Sequence, residues 1–414
     1  MRRRRSRNRS ETPSGSLALG KLLRLLVLLV VLLPIAEWGA SVIMARMSAN
    51  SRLPAVSDKD LAKLYDTDQP GHRRQILVES PGPGDGAYTP LVEYRMPAQK
   101  GEWVSVSDDG LRGGIMGQSG PRIAVFGGGT TFGHGLADAE TIPAALVAAL
   151  LRDGIPARVE NRAVPGWYST QDRVAFAEML ASGDKPDVAV FVHGLDDFMR
   201  CGKPEGTAWS ARLAEVGAPI GLEQVIRQSS LAALLHKLGG KSQQALDKEQ
   251  ALACGSDSQV ETSLARLDAN RRLIAAMAER FGVKVLFVQQ PVPTFHYDNA
   301  KRAVPMGPDQ MAPYVATAKG YARLAEKRGS GSLFEQDLLW LAELEPAEGN
   351  AYVDAVHYSP AFAKLIGEKL AERLAQMLPP PAQPEAPSAP TPPAESQPSA
   401  PPSAAPASPA VPHK

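Results

Sequence analysis

The stretch Ile123–Gly135, IAVFGGGTTFGHG, decides the fold. An apolar run that reads as a buried strand passes directly into three glycines and two threonines. Strands of a parallel sheet covered on both faces are apolar throughout, and functional groups lie in the loops beyond their carboxyl ends. We therefore expect this stretch to carry a functional loop to the edge of a parallel sheet.

The same alternation of strand and helix continues along the chain. Apolar runs predict strands at Arg122–Phe126, Ala157–Asn161, Asp187–His193 and Val283–Gln290. Helical periodicity predicts helices at Thr141–Asp153, Thr170–Leu180, a long segment through Leu264 and Phe281, and Pro360–Met377. The pattern predicts an α/β domain over residues 119–378, with a central parallel sheet and an insertion at 198–260.

The N-terminus has the pattern of a membrane anchor. Residues 1–21 form a basic tail, and the apolar run Leu25–Ala45 is interrupted only by Glu37. At 1.5 Å per residue this run just covers about 30 Å of hydrocarbon. We expect an uncleaved transmembrane signal anchor at 22–46 in the inner membrane, with the arginines in the cytoplasm and the main domain periplasmic. The alternative is a cleaved signal peptide, but Trp38 stands where a small residue is wanted before Ala40.

Two further segments flank the main domain. Residues 47–118 form a lead-in segment that we expect to pack on the domain, with a short strand and turn in Glu102–Gly113 and no chemistry of its own. Residues 379–414 are rich in proline and nearly free of large apolar side chains, which predicts a disordered tail. The tail is either a passive spacer or a ligand for envelope proteins. Beyond the first ten residues the chain is net acidic, so no nucleic-acid partner is expected.

The two cysteines, Cys201 and Cys254, fall in the part expected outside the membrane, where disulfides persist. They form either one disulfide or two unpaired thiols. Neither has the cysteine and histidine spacing of a zinc site, and we expect no metal or cofactor.

Four short segments follow predicted strands or precede the last helix: GGGTTFG, NRAVPGW, HGLDDF and DAVH. The last contains Asp354 and His357, whose spacing lets a turn bring the carboxylate to one imidazole nitrogen and leave the other free as a base. Such a spacing is frequent by chance. Its position immediately before the last helix, together with the other three loops, favours a functional role.

In this order the four segments resemble the SGNH (GDSL-type) hydrolases over about 230 residues. The resemblance implies a flavodoxin-like, three-layer α/β/α sandwich and acyl transfer from an ester by a serine. It also implies that His357 is the base, Asp354 its orienting carboxylate, and Gly166 a backbone donor to the oxyanion. No cofactor is implied.

Two positions depart from the family pattern. Gly129 stands where the family has its nucleophilic serine, so only its backbone N–H could serve the oxyanion. Asp196 stands where the family has an asparagine, and an ionised carboxylate cannot donate a hydrogen bond. Losing one such donor costs roughly 10²–10³ in rate.

Three routes would keep catalysis available. Thr130 could replace the serine, although a shift of one residue would aim its hydroxyl elsewhere. His357 could activate water directly. A metal could bind Asp196, Asp197 and His357, although adjacent carboxylates on one turn rarely face a single ion.

Three residues near the predicted site mouth are candidates for ligand contact. His134 and His193 are either contacts or polar groups satisfied within their loops. Trp167, with Tyr168, either stacks on a sugar ring or packs against the insertion.

Two functions follow from these residues. The first is a membrane-tethered ester hydrolase or O-acyl transferase for acylated envelope polysaccharide, slow or inactive because of Gly129 and Asp196. The alternative is a non-catalytic module that binds an acylated glycan or scaffolds an envelope complex.

Overall fold

The computed structural model of the chain describes residues 30–43, 46, 56–201, 229–231, 234, 249 and 252–378. Residues 30–43 are helical, and Glu37 accepts a hydrogen bond from the backbone N–H of Leu231 at 2.9 Å. Within the described ranges, no helix combines the length and apolar character needed to cross a membrane. The rest of the predicted anchor at 22–46, most of the insertion at 198–260, and the tail at 379–414 lie outside these ranges.

Ten strands form two sheets in the described part of the chain. A small antiparallel sheet pairs β1 with β2, and a large sheet has the order β10-β9-β8-β6-β7-β5-β4-β3. The strands are β1 Ala87–Thr89, β2 Glu93–Arg95, β3 Gln99–Lys100, β4 Ser105–Val106, β5 Arg112–Met116, β6 Arg122–Gly127, β7 Arg158–Asn161, β8 Val188–His193, β9 Lys284–Gln289 and β10 Leu338–Trp340.

The large sheet is mixed and mostly parallel. Strands β7, β6, β8, β9 and β10 are all parallel, and their order in space is the doubly wound order of flavodoxin-like folds. Strands β5, β4 and β3 extend the sheet beyond β7 in antiparallel fashion. The expectation of a wholly parallel sheet was therefore wrong at this edge, because the lead-in segment is built into the sheet instead of only packing on it.

Ten α-helices whose ends both lie within the described ranges accompany the sheet. They are α1 Asp58–Tyr65, α2 Pro70–Glu79, α3 Gly129–Phe132, α4 Ile142–Arg152, α5 Ser169–Ala181, α6 Leu195–Met199, α7 Asp257–Phe281, α8 Pro308–Met311, α9 Val315–Lys327 and α10 Pro360–Ala375. The helices predicted after β6 and at the C-terminus agree with α4 and α10. Both start at a hydroxyl that caps the first turn, Thr141 and Ser359, followed by a proline within that turn.

Helices cover both faces of the sheet, because alternate residues of each central strand point to opposite sides. On one face Ile123, Val125 and Val190 pack with α4 and α10. On the other, Phe126 and Phe191 pack with α5 and α7, and their rings stack 4.9 Å apart. This two-sided core fixes the carboxyl ends of β6, β8 and β9, from which the functional loops leave.

Cys201 and Cys254 form a disulfide in the structure. It joins the residues just after α6 to those just before α7. The disulfide therefore links the two ends of the insertion at 198–260 to each other.

Candidate active site

The loop before α10 holds a histidine and a carboxylate in direct contact. Nδ1 of His357 lies 2.7 Å from Oδ2 of Asp354. The other carboxylate oxygen accepts the backbone N–H groups of Val356 at 2.8 Å and His357 at 2.7 Å. These bonds fix the turn, so the three-residue spacing brings the two side chains together as predicted from the sequence.

The charges of this pair stabilise one another. The charge and hydrogen bond of His357 outweigh the effect of burial and hold the pKa of Asp354 well below its ordinary value. Burial opposes protonation of the imidazole, yet the neighbouring carboxylate prevails and raises the pKa of His357. Because Asp354 is ionised at neutral pH, a neutral His357 carries its proton on Nδ1 and presents a bare Nε2.

That free nitrogen faces Gly129. A Cβ atom added to Gly129 would lie 3.0 Å from Nε2 of His357. Gly129 begins α3, directly after β6 and Gly128. The loop that resembles the family's nucleophile loop therefore brings its backbone to the base, but supplies no side chain.

Asp196 occupies the space beside Gly128. A Cβ atom on Gly128 would lie only 2.0 Å from Oδ2 of Asp196, so a side chain at 128 and the present position of Asp196 exclude each other. Burial, with the charge of Asp197, raises the pKa of Asp196 to about 7 against the effect of Arg200. With this pKa, Asp196 is partly protonated near neutral pH, and a protonated carboxyl group can donate a hydrogen bond.

The hydroxyl of Thr130 is hydrogen-bonded to a neighbouring strand end. Its side chain is buried, and its hydroxyl donates to Oε1 of Gln290 at 3.0 Å. Gln290 follows β9, so this bond ties the loop after β6 to a neighbouring strand end. The hydroxyl of Thr130 is thus used for structure, and its substitution for the serine has no support in this geometry.

Gly166 lies close to the same loop. Its φ of +79° is in the left-handed region that favours glycine, and Cα of the preceding Pro165 would be 3.8 Å from a Cβ on Gly129. Nη2 of Arg200 approaches the carbonyl oxygen of Gly166 at 3.5 Å. Arg200 also acts on the charge of Asp196, so it is a cation of the site that sequence reasoning missed. Its place two residues after the HGLDDF segment was the available signal.

His134 contacts the base. Its ring centroid is 4.7 Å from that of His357, and its Nδ1 lies 3.3 Å from the carbonyl oxygen of Pro81. Burial, together with the charge of His357, lowers the pKa of His134 to about 4, so the ring is neutral at pH 7. The sequence placed His134 at the mouth of the site, and the structure places it against His357.

His193 and Trp167 are buried within the domain, which favours, of the two alternatives for each, the one without a ligand contact. His193 is 2% exposed and lies 3.2 Å from the buried carboxylate of Asp172. Trp167 is fully buried, and its indole N–H donates to the carbonyl oxygen of Tyr94 at 3.0 Å. Tyr94 belongs to the lead-in segment, so Trp167 packs on that segment and not on the insertion.

Asp197 is likewise structural. Its carboxylate accepts the backbone N–H groups of Gly194 at 3.1 Å and Ser169 at 3.2 Å, as expected for a loop carboxylate. Because these bonds occupy its carboxylate, Asp197 does not favour the metal site with Asp196 and His357 that the sequence left open. Asp196 therefore lies at the site, whereas Asp197 stabilises the loop beneath it.

The lead-in segment supports the site from outside the main domain. The hydroxyl of Ser80 accepts the backbone N–H of Gly135 at 3.0 Å, and Tyr65 donates to the carbonyl oxygen of Gly135 at 3.0 Å. Tyr94 donates to the carbonyl oxygen of Pro165 at 2.8 Å. These hydrogen bonds hold in place both loops around Gly129.

No protein family model and no curated protein sequence matches the chain. Among solved structures, the lipase/acylhydrolase from Enterococcus faecalis is similar at 16% identity, over 64% of this chain and 99% of that chain, with a TM-score of 0.33. A GDSL-like lipase from Bacteroides thetaiotaomicron VPI-5482 is similar at 14% identity, over 62% and 88%, with a TM-score of 0.31. A catalytic mutant of an acetylxylan esterase from Geobacillus stearothermophilus is similar at 16% identity, over 62% and 94%, with a TM-score of 0.31. The solved structures that this chain resembles are GDSL-type lipases, acylhydrolases and esterases.

Proposed function

We propose that this chain is an SGNH-hydrolase-like domain that binds acyl esters and hydrolyses them slowly, with His357 activating a water molecule in place of a serine. The observation that carries the proposal is the orientation of His357: Nδ1 is held by Asp354 at 2.7 Å, and Nε2 faces the position of a side chain at Gly129. A base fixed in this way can accept a proton from water without a protein hydroxyl.

The remaining groups can stabilise the charge that develops on the ester oxygen. Gly129 begins a helix, where the first N–H groups have no partner within the helix, and Gly166 lies beside it. A protonated Asp196 would add a third donor. Water adds to the carbonyl carbon as His357 takes its proton, and the alcohol then leaves with that proton.

The location belongs to the same proposal. The Arg-rich tail and the apolar run at 22–46 favour an anchor in the inner membrane, with the domain on the periplasmic side. A disulfide between Cys201 and Cys254 fits an oxidising compartment. Acylated envelope polysaccharide is the substrate class that this location makes available, and the proline-rich tail at 379–414 could reach envelope proteins.

The alternative is a non-catalytic domain that binds acylated glycan or scaffolds an envelope complex. Gly129 favours it, since the covalent route is closed without a side chain hydroxyl. In this reading the cleft binds the acyl group, and His357 serves as a hydrogen-bond acceptor.

Hydrolysis of p-nitrophenyl acetate by the full-length protein in detergent separates the two. We expect slow turnover that His357→Ala reduces by about 10²-fold or more, within the range of general-base contributions. His296→Ala, which changes an exposed histidine, is the control. Turnover that is equal in wild type and His357→Ala would contradict water activation, and saturable binding of acetylated oligosaccharide by both proteins would then favour the binding module.

A further inference from the structure

The turn that carries Asp354 and His357 is the tip of a small hairpin. Tyr352 and Tyr358 form an antiparallel bridge at its base, and residues 353–357 make up the hairpin tip. Two backbone N–H groups of the tip donate to the carboxylate of Asp354, as described above. Every main-chain polar group in a protein requires a partner, so the carbonyl oxygens of the hairpin tip need donors from solvent or from another segment.

Arg302 supplies two of these donors. Its Nη1 donates to the carbonyl oxygen of Asp354 at 2.7 Å, and its Nη2 donates to the carbonyl oxygen of Ala355 at 3.0 Å. Arg302 follows the short 3₁₀ helix Asn299–Lys301, 52 positions before Asp354, in the connection that leaves β9. The planar fork of a guanidinium holds two neighbouring acceptors in one fixed geometry, which a lysine ammonium does not.

The guanidinium is itself held firmly. Arg302 is 5% exposed, and its Nε donates to Oδ1 of Asn299 at 2.8 Å. Its central carbon lies 5.2 Å from the ring centroid of Tyr352 and 5.8 Å from that of Tyr297. Burying a charge is costly unless hydrogen bonds and favourable contacts offset the loss of hydration. Here a large part of the offset comes from the carbonyl oxygens of the hairpin tip.

One peptide group connects this cation to the carboxylate. The carbonyl oxygen of Ala355 and the N–H of Val356 belong to the same peptide group, and the first accepts from Arg302 while the second donates to Oδ1 of Asp354 at 2.8 Å. Oδ2 of that carboxylate lies 2.7 Å from Nδ1 of His357. Hydrogen bonds in a chain polarise one another, so donation to the carbonyl strengthens the N–H as a donor.

We propose that Arg302 is a positioning residue for the base: its guanidinium holds the hairpin tip and thereby fixes the carboxylate of Asp354 against Nδ1 of His357. Its bonds go to main-chain oxygens and not to Nε2, so it acts on the imidazole through Asp354. A displacement of about 1 Å at a reacting group can cost about 10²-fold in rate. The effect on hydrolysis rests on the proposed function, whereas the orientation of the imidazole does not.

Proton NMR of the full-length protein in detergent tests the orientation directly. The strongly deshielded resonance of the Nδ1 proton of His357 is identified by its loss in His357→Ala. Arg302→Lys keeps the positive charge but not the fork, so we expect this resonance to broaden or move upfield. We expect kcat for p-nitrophenyl acetate to fall by about 10-fold or more, with KM within about twofold of wild type, because only the base is displaced.

Arg271→Lys is the matched control. Arg271 is 3% exposed, and its Nη2 donates to Oε1 of Gln289 on β9 instead of to the hairpin tip. The same substitution there should leave the deshielded resonance as in wild type. An equal change of the resonance in Arg271→Lys and Arg302→Lys would show a general effect of replacing a buried arginine and would overturn the proposal.

A folded Arg302→Lys protein with the wild-type resonance would overturn the proposal as well. If Arg302→Lys does not fold, Asn299→Ala removes the acceptor of Nε and should change the resonance in the same direction. An unchanged resonance in Asn299→Ala would then count against the proposal. A wild-type protein that hydrolyses no ester, but whose resonance depends on Arg302, would remove the proposed hydrolysis and leave the positioning role.

Discussion

The two halves of the candidate site differ in completeness. On the side of α10, His357 and Asp354 form a hydrogen-bonded pair with ordered backbone contacts, as a general base requires. On the side of β6, Gly129 lacks a hydroxyl, and Asp196 occupies the space beside Gly128. The imidazole of His357 is therefore oriented, but the residue that it faces has no hydroxyl. Substitutions on both sides test this contrast.

The largest effect is expected from Gly129→Ser, which would place a hydroxyl next to the base. Because a Cβ at this position lies 3.0 Å from Nε2, His357 has to move by a few tenths of an ångström. We expect ester hydrolysis to rise by about 10³-fold, since the covalent route becomes available. Steady-state rates on p-nitrophenyl acetate measure it.

Gly129→Ala is the matched control, because it adds the same Cβ without the hydroxyl. We expect it to remain at or below the wild-type rate. An equal gain in the alanine and serine variants would show that the effect comes from packing, and the contrast between the two halves would fail.

The next effect concerns the orienting carboxylate. Asp354→Asn removes the charge that raises the pKa of His357, so that pKa should fall and the Nδ1 proton lose its acceptor. In the Gly129→Ser background we expect about a 10²-fold or larger loss in kcat, measured from pH 5 to pH 9. A full rate with an unchanged pH profile would mean that Asp354 has no role beyond the turn.

The pH dependence should identify Asp196. In Gly129→Ser, hydrolysis needs deprotonated His357 and, for the third donor, protonated Asp196, so ionisation of Asp196 through its pKa of about 7 should lower the rate on the alkaline side. Asp196→Asn donates at every pH, so the decline on the alkaline side should disappear. Above pH 8, Asp196→Asn in the Gly129→Ser background should hydrolyse the ester up to about 10²-fold faster than Gly129→Ser alone. A decline that persists in Asp196→Asn would assign it to another group.

The smallest effect is on stability. Gly128→Ala should cost about 1–3 kcal/mol, because its Cβ would clash with Oδ2 of Asp196. Combining it with Asp196→Ala should recover most of this loss, and denaturant unfolding measures both. Gly71→Ala, at a helical position with open space around it, is the control. If the losses of unfolding free energy are additive in the double variant, the side chains at 128 and 196 do not compete for the same space.

Local patterns predicted the central fold well. Strands β6, β8 and β9 have apolar interiors, and the prediction placed each of them within one residue of its observed bounds. Strand β10 has only three residues, which are too few for a repeating pattern of apolar residues to predict a strand. The short strand predicted within Glu102–Gly113 corresponds to β4, whereas β3 and β5 were not predicted, because β3 has two residues and β5 contains two glycines that weaken a strand pattern.

Prediction of the site was less complete, for reasons of distance along the chain. The Asp354 and His357 contact lies within one turn, so spacing was enough to predict it. The burial of Trp167 depends on Tyr94, 73 residues earlier, and the position of Thr130 depends on Gln290, 160 residues later. No local pattern contains those partners. The raised pKa of Asp196 similarly follows from burial, which composition does not reveal.

The most direct test of the account is intact-mass analysis after treatment with a serine-directed fluorophosphonate, with wild type and Gly129→Ser side by side. The account predicts no covalent adduct on the wild-type chain and one adduct, mapped to position 129, on the variant. A stoichiometric adduct on the wild-type protein, at Thr130 or any other hydroxyl near His357, would contradict the claim that an oriented base faces no nucleophile.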